Sequence, residues 1–412
     1  MITRQIEHVA LLLLIAAVVA MLARKAHLPY TVGLLLTGFG LAFLHSAPAF
    51  HLSKELIFSA FLPPLIFEAA FSLPWKELRR DLLYILFLAS AGVLLAAGVA
   101  GAGMHYGAAW AWPTALLFGV LIAATDPVSV IAIFKDAPVP ERLKIIVEAE
   151  SLFNDGTAAV AFGVALAVVQ GGDLTGAGIA RAFSITVLGG IACGAAVACA
   201  LLLLARKTDD HMIELTFTTI AAYGSFLLAE HFHLSGVLAT LTAGLIVGNT
   251  GSLGAITHRG RQAVGRFWEY MAFVANSLIF LLIGLSLAGL DVTHLGRTLF
   301  LAIPVVLAGR ALAVYLCSAL FLRAPRPVER RYQHVLFWGG LRGALALALV
   351  LGLPTSMPQR PLLITVVFAV VAFSIIVQGL TMKPLLRLLG LLETGPASEE
   401  SAPEPARGAS HD

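Results

Sequence analysis

Thirteen apolar runs punctuate this chain, and no other feature limits its fold so severely. They lie at about 6–23, 28–45, 55–73, 82–103, 112–134, 143–169, 179–205, 213–230, 234–248, 267–289, 298–322, 332–353 and 362–382. Each has, or nearly has, the roughly 17–25 residues that cross a bilayer as a helix. The ninth is the shortest. In lipid the backbone must satisfy its own hydrogen bonds, so the expected fold is an all-α polytopic membrane protein with 13 transmembrane helices. Composition agrees: 59% of residues are hydrophobic and 12% charged, against roughly 25% charged in an average soluble domain. A net charge of +3, with no basic cluster carrying interleaved aromatics, excludes a nucleic-acid partner. The partner required is the lipid bilayer. Cys193, Cys199 and Cys317 lie inside apolar runs without metal-ligand or paired spacing, and read as small buried hydrophobes.

Basic residues concentrate in cytoplasmic loops, so sorting them by connection orients the chain. Nineteen fall on the odd-numbered connections and just after the last run, among them Arg24, Lys25, Arg142, Arg266, Lys383 and Arg387. Five fall on the opposite side: Arg4, Lys54, Arg181, Arg297 and Arg360. The N-terminus is therefore expected outside and the C-terminus in the cytoplasm of a cell that carries the protein in its plasma (inner) membrane. Arg24 and Lys25 follow the first run where a signal peptide would have a small-residue cleavage site, so this run reads as a retained helix. Residues 1–390 form one membrane domain on this reading. Residues 391–412, rich in Pro, Ser, Gly and acid, are expected to be a short disordered cytoplasmic tail with no soluble regulatory domain.

Ionisable residues deep inside such runs are costly, and each is a functional-site hypothesis. Asp126 lies near the middle of the fifth run and precedes Pro127. Proline pushes the residue before it out of the α region, so the helix is expected to break there. Broken backbone at that depth survives only beside a cavity or a protein interior, and its freed carbonyls, that of Thr125 included, can bind a cation. In the sixth run Ser151 and Asp155 are four residues apart and share a helical face, while Glu150 and Asn154 share the neighbouring one. Hard oxygen groups of this kind suit a proton or an alkali cation. The third run adds Glu68 after Pro63-Pro64, a pair expected to make that helix irregular. Glu148, Glu230 and Glu269 sit near run ends and read as interfacial. Arg310 and Arg342 fall within runs eleven and twelve and need partners. Arg310 is expected to pair with Glu150 structurally, and Arg342 either to make a second pair or to support a broken helix end. The twelfth run carries Gly339-Gly340-Leu341-Arg342-Gly343 at its middle. Interrupted runs in two oppositely directed halves are the mark of an inverted repeat with crossed discontinuous helices 5 and 12. The repeats would cover about 6–170 and 213–390.

With these motifs the chain resembles the monovalent cation/proton antiporters of the bacterial NhaP and animal sodium/proton exchanger type. The likeness rests on Phe61-Leu62-Pro63-Pro64-Leu65-Ile66-Phe67-Glu68, Thr125-Asp126-Pro127, Glu150-Ser151-Leu152-Phe153-Asn154-Asp155-Gly156 and Gly339-Gly340-Leu341-Arg342-Gly343-Ala344. It implies a homodimer with a rigid dimer-forming part and a moving core. It implies that Asp126, Asp155, Ser151, Glu68 and the Thr125 carbonyl surround Na+, that Asn154 holds the unwound segment, and that Glu150 pairs with Arg310. No cofactor is expected beyond the transported Na+ and H+. The activity implied is alternating-access exchange serving pH and sodium homeostasis, electroneutral because Asn154, beside Asp155, is neutral. K+ or Li+ in place of Na+ stays open. A cation channel fits less well because a single midplane site lacks a ring of ligands, and an intramembrane aspartyl protease lacks its Gly-x-Gly-Asp pattern.

Overall fold

The computed structural model describes residues 2–26, 28–43, 52–136, 139–171, 175–205, 210–249, 258–290 and 296–392. The tail from Glu393 lies outside the described residues. Among these residues helices account for all regular structure: α1 Ile2–Lys25, α2 Tyr30–Leu41, α3 Leu56–Ser72, α4 Trp75–Ala108, α5a Trp112–Leu121, α5b Val128–Asp136, α6 Glu141–Val169, α7 Gly176–Ala205, α8 His211–His231, α9 Gly236–Asn249, α10 His258–Leu287, α11 Gly296–Leu320, α12a Arg330–Trp338, α12b Ala344–Leu351 and α13 Arg360–Leu388. Seven are long and apolar enough to cross a membrane by length and composition; α2, α3, α5a and α9 are apolar but shorter. Each of the thirteen apolar runs coincides with one helix or one broken pair. Helix ends differ more: α4 starts seven residues before its run and α10 nine. Hydropathy reports where lipid begins, whereas the helix continues into the interface while its polar turns remain hydrated.

Two runs are interrupted outright, between Leu121 and Val128 and between Trp338 and Ala344. Others are distorted by π-helical turns, at Leu56–Phe61 in α3 and Ser374–Gln378 in α13. The Pro63-Pro64 irregularity is thus displaced by one turn: the π turn directly precedes the prolines, and the Ala60 carbonyl that Pro64 leaves without a helical donor accepts from the Tyr223 hydroxyl at 3.1 Å.

Glycines show which helices are locked together. A Cβ on Gly38 of α2 would lie 2.1 Å from the Leu281 carbonyl oxygen of α10, and one on Gly284 would lie 2.1 Å from that of Leu35. Such backbone-to-backbone approach leaves no room to slide. Gly248 joins α9 to α3 in the same way, and Gly194 joins α7 to α9. A separate hydrophobic cluster, centred on Trp268 and Phe67 with ring centroids 4.6 Å apart, ties α3, α7, α8, α9 and α10 together. In a second set, a Cβ on Gly119 of α5a would overlap the Ala97 carbonyl oxygen of α4, and one on Gly309 of α11 would lie 2.9 Å from that of Ala96. Against α6 the first set makes contact through a side chain, where Leu238 of α9 lies against Gly156.

Candidate functional site

The two breaks meet. The Asp126 N–H donates to the Leu341 carbonyl oxygen at 2.8 Å, and the Asp126 carboxylate lies so close to Gly343 that a Cβ there would overlap it. Its Oδ1 accepts from the Val128 N–H at 2.9 Å, and the Ala344 N–H also donates to the carboxylate. These amides open α5b and α12b. One carboxylate therefore caps two helix N-termini, whose unpaired N–H groups and positive dipole ends favour negative charge.

The C-terminal end of α12a is met by cations. Arg310 donates from Nε and Nη2 to the Leu336 carbonyl of α12a, at 3.2 and 3.0 Å. Its Nη1 and Nη2 also grip Glu150 at 2.8 and 2.9 Å. The pair is almost dry, with Arg310 5% and Glu150 1% exposed. Arg342 donates from Nη1 to the Gly340 carbonyl, and its backbone N–H donates to Ser374 Oγ at 3.0 Å, in the π turn of α13. Its buried Nε has no hydrogen-bond partner among the described residues. The unwound stretch of α5 is held from α6. Asn154 accepts from the Thr125 N–H through Oδ1 at 3.1 Å, and donates through Nδ2 to Thr125 Oγ1 at 2.6 Å and Glu150 Oε1 at 3.0 Å. Thr125 Oγ1 and Ser151 Oγ are 3.0 Å apart.

Beside this crossing is a cavity of about 570 Å³, with α1, α3 and α10 on its wall together with α5b, α6, α12b and α13. Asp126 and Asp155 line it from α5 and α6, and Glu68 from α3. It extends past Glu148 and Glu269 to Arg24, Arg266, Lys383 and Arg387 near the helix ends. Asp155 is half-buried and, among the described residues, accepts no hydrogen bond. Unlike Asp126, its oxygens are free to receive something from the cavity.

The family described as "Sodium/hydrogen exchanger, transmembrane" matches residues 11–388. The chain belongs to that family. The Na(+)/H(+) antiporter ApNhaP of Aphanothece halophytica is 38% identical over 367 residues, which are 89% of this chain and 70% of that protein. The Na(+)/H(+) antiporter NhaH of Halobacillus aidingensis is 33% identical over 397 residues, 93% of this chain and 97% of that protein. The sodium proton antiporter MjNhaP1 from Methanocaldococcus jannaschii shares the fold, with a TM-score of 0.74 at 21% identity over 93% of this chain and 98% of that one.

Within this family member the residues singled out from sequence divide into two groups. Asp126, Asp155, Glu68 and Thr125 reach the cavity, as does Pro127. Asn154 and Ser151 are not on its wall: Asn154 is 0% exposed with its amide committed to Thr125 and Glu150, and Ser151 is buried against the Thr125 hydroxyl. Both hold the broken strand of α5 from behind, because α6 turns that face toward α5a and not toward the cavity. Glu148 and Glu269, read from sequence as interfacial, lie on the wall with Tyr30 and Asn276. A signal for them existed. Glu148 and Asp155 are seven residues apart, as are Glu269 and Asn276, and that spacing puts each pair on one helical face. Glu230 lies away from the cavity and accepts from the Gly236 N–H at 3.3 Å.

Proposed function

We propose that the protein is a secondary antiporter that exchanges Na+ for H+ by alternating access. The observation that carries this reading is Asp155: a carboxylate that, among the described residues, accepts no hydrogen bond, at a cavity wall, next to a broken-helix crossing where Glu150 is paired with Arg310 and Asp126 with backbone N–H groups. A proton and a cation bind the same carboxylate oxygens, so loading one displaces the other. That competition couples the two fluxes without a separate gate. Asp126, Glu68 and the Thr125 carbonyl complete the oxygen environment of the cation, which suits a hard alkali ion. Asn154 and Ser151 keep the Thr125 carbonyl and Asp126 in place.

The thirteen runs cross the membrane as two inverted repeats, about 6–170 and 213–390. The face with Arg24, Arg266, Lys383 and Arg387 is cytoplasmic, on the charge bias of its loops. The cavity then opens toward the cytoplasm, in a cell membrane and in a homodimer formed through the set that contains α3, α7, α8, α9 and α10. Exchange is one Na+ for one H+ because the residue beside Asp155 is the neutral Asn154.

The test is reconstitution of the purified protein in liposomes with an imposed ΔpH followed by a pH-sensitive dye, adding Na+, K+ or Li+ separately. Na+ is expected to collapse the gradient. Collapse by K+ alone overturns the cation assignment, and no response to any of the three overturns exchange.

A further inference from the structure

Two hydroxyls meet where α5b packs on α2 of the first set. Thr31 of α2 and Ser129 of α5b are 0% and 2% exposed, and their oxygens are 2.7 Å apart. Thr31 lies on a helix of the first set and Ser129 on a segment outside it. α2 is locked to α10 through Gly38 and Gly284, whereas α5b hangs from the break and is joined through Asp126 to α12b. Ser129 directly follows Val128, whose N–H the Asp126 carboxylate accepts. The hydroxyl contact therefore pins the turn of helix that carries the carboxylate of the site. A polar link between the sets, from the Trp75 N–H to Asn249 Oδ1 at 2.8 Å, is exposed, and water can replace it at little cost. At Thr31 and Ser129 water has no access.

We propose that the Thr31–Ser129 hydrogen bond is a latch that holds α5b against α2 in the conformation seen here, with the cavity open on the basic face, so that these two residues set the balance between the two access states. This rests on the exchange reading above, since only alternating access requires α5b to move past α2. The neighbours of Thr31 on α2, Val32, Leu34 and Leu35, are buried and apolar, and offer a departing Ser129 hydroxyl no substitute partner. An unpaired buried hydroxyl is costly, so the bond favours the latched state until the cation or proton load of the site changes. Thr31 and Ser129 act through the position of α5b and touch neither ion, which makes them positioning residues.

The test uses Thr31→Val, which keeps the side-chain shape and removes the hydroxyl, Ser129→Ala, and the double variant, each in the full-length protein. In proteoliposomes the KM for Na+ is measured separately from the two faces. Loss of the latch is expected to raise KM about tenfold on the cavity-open face and lower it on the other, with the double variant matching either single, because the second removal takes away a bond already lost. An equal change on both faces, additive effects, or no change overturns the latch. A readout independent of transport is the rate at which a membrane-impermeant maleimide modifies Ala132→Cys, a half-buried cavity position on α5b, resolved by mass spectrometry from Cys193 and Cys199. Thr31→Val is expected to slow this labelling at least threefold, and an unchanged rate overturns the latch. Failure of exchange itself shows as a wild-type protein that moves no protons with Na+, K+ or Li+, while the labelling arm still decides whether the hydroxyl pair holds α5b.

Discussion

Removing Glu150 strands the Arg310 guanidinium in a dry interior, and the structure sets what that should cost. Arg310 loses both carboxylate contacts, at 2.8 and 2.9 Å, and keeps only the Leu336 carbonyl. Asn154 Nδ2 loses an acceptor at 3.0 Å in the same step. Breaking a buried pair by deleting one partner costs roughly 3–5 kcal/mol, because the other charge is left uncompensated. With about 2.1 cal/mol/K of unfolding entropy per residue, a chain of 412 residues carries about 0.9 kcal/mol/K, so Glu150→Ala is expected to lower Tm by about 3–6 °C. Arg310→Ala should do the same, since it leaves a buried carboxylate. The double variant should fall no further than either single, because neither charge then remains. Differential scanning fluorimetry on detergent-purified protein measures all three. A double-variant loss equal to the sum of the singles would show that the two residues stabilise the fold independently, and would refute the reasoning.

Three further outcomes follow from the site. Asp155→Asn should abolish Na+-driven proton movement in proteoliposomes while leaving Tm within about 1 °C, because Asp155 accepts no hydrogen bond among the described residues; full transport would remove it as the shared carrier. Gly343→Ala places a Cβ where the Asp126 carboxylate now sits, and should slow exchange by on the order of tenfold or more; a wild-type rate would mean that the crossing tolerates displacement of Asp126. Initial rates of Na+/H+ exchange should not vary with a K+ diffusion potential set by valinomycin, and a steep voltage dependence would exclude one-for-one exchange.

Some of this was readable in the chain because its causes are local. Pro127 and the Gly339–Gly343 stretch disrupt helix wherever they occur, and the structure breaks at 122–127 and 339–343. Glu150 and Arg310 were suspect because a lone charge in an apolar run needs a partner, and the structure brings them together. Other features were hidden for equally physical reasons. Spacing along α6 could not say which face meets the cavity, so Ser151 was expected beside a cation and instead meets the Thr125 hydroxyl, while Asn154 holds the unwound segment, the role the resemblance implied for it. Glu148 and Glu269 were set aside because nearness to a run end does not distinguish a hydrated interface from a water-filled cavity.

Hydropathy, charge bias and helix breakers together determined an all-helical membrane protein with two interrupted helices and candidate carboxylates at Glu68, Asp126 and Asp155, because lipid penalises each unpaired polar group wherever it sits. Only the tertiary structure decided that Asp126 caps two helix ends while Asp155 stays open to the cavity. It alone also put Thr31 against Ser129, 98 positions away. Neither hydroxyl carries a charge or breaks a helix, and such groups acquire meaning only from the surface packed against them.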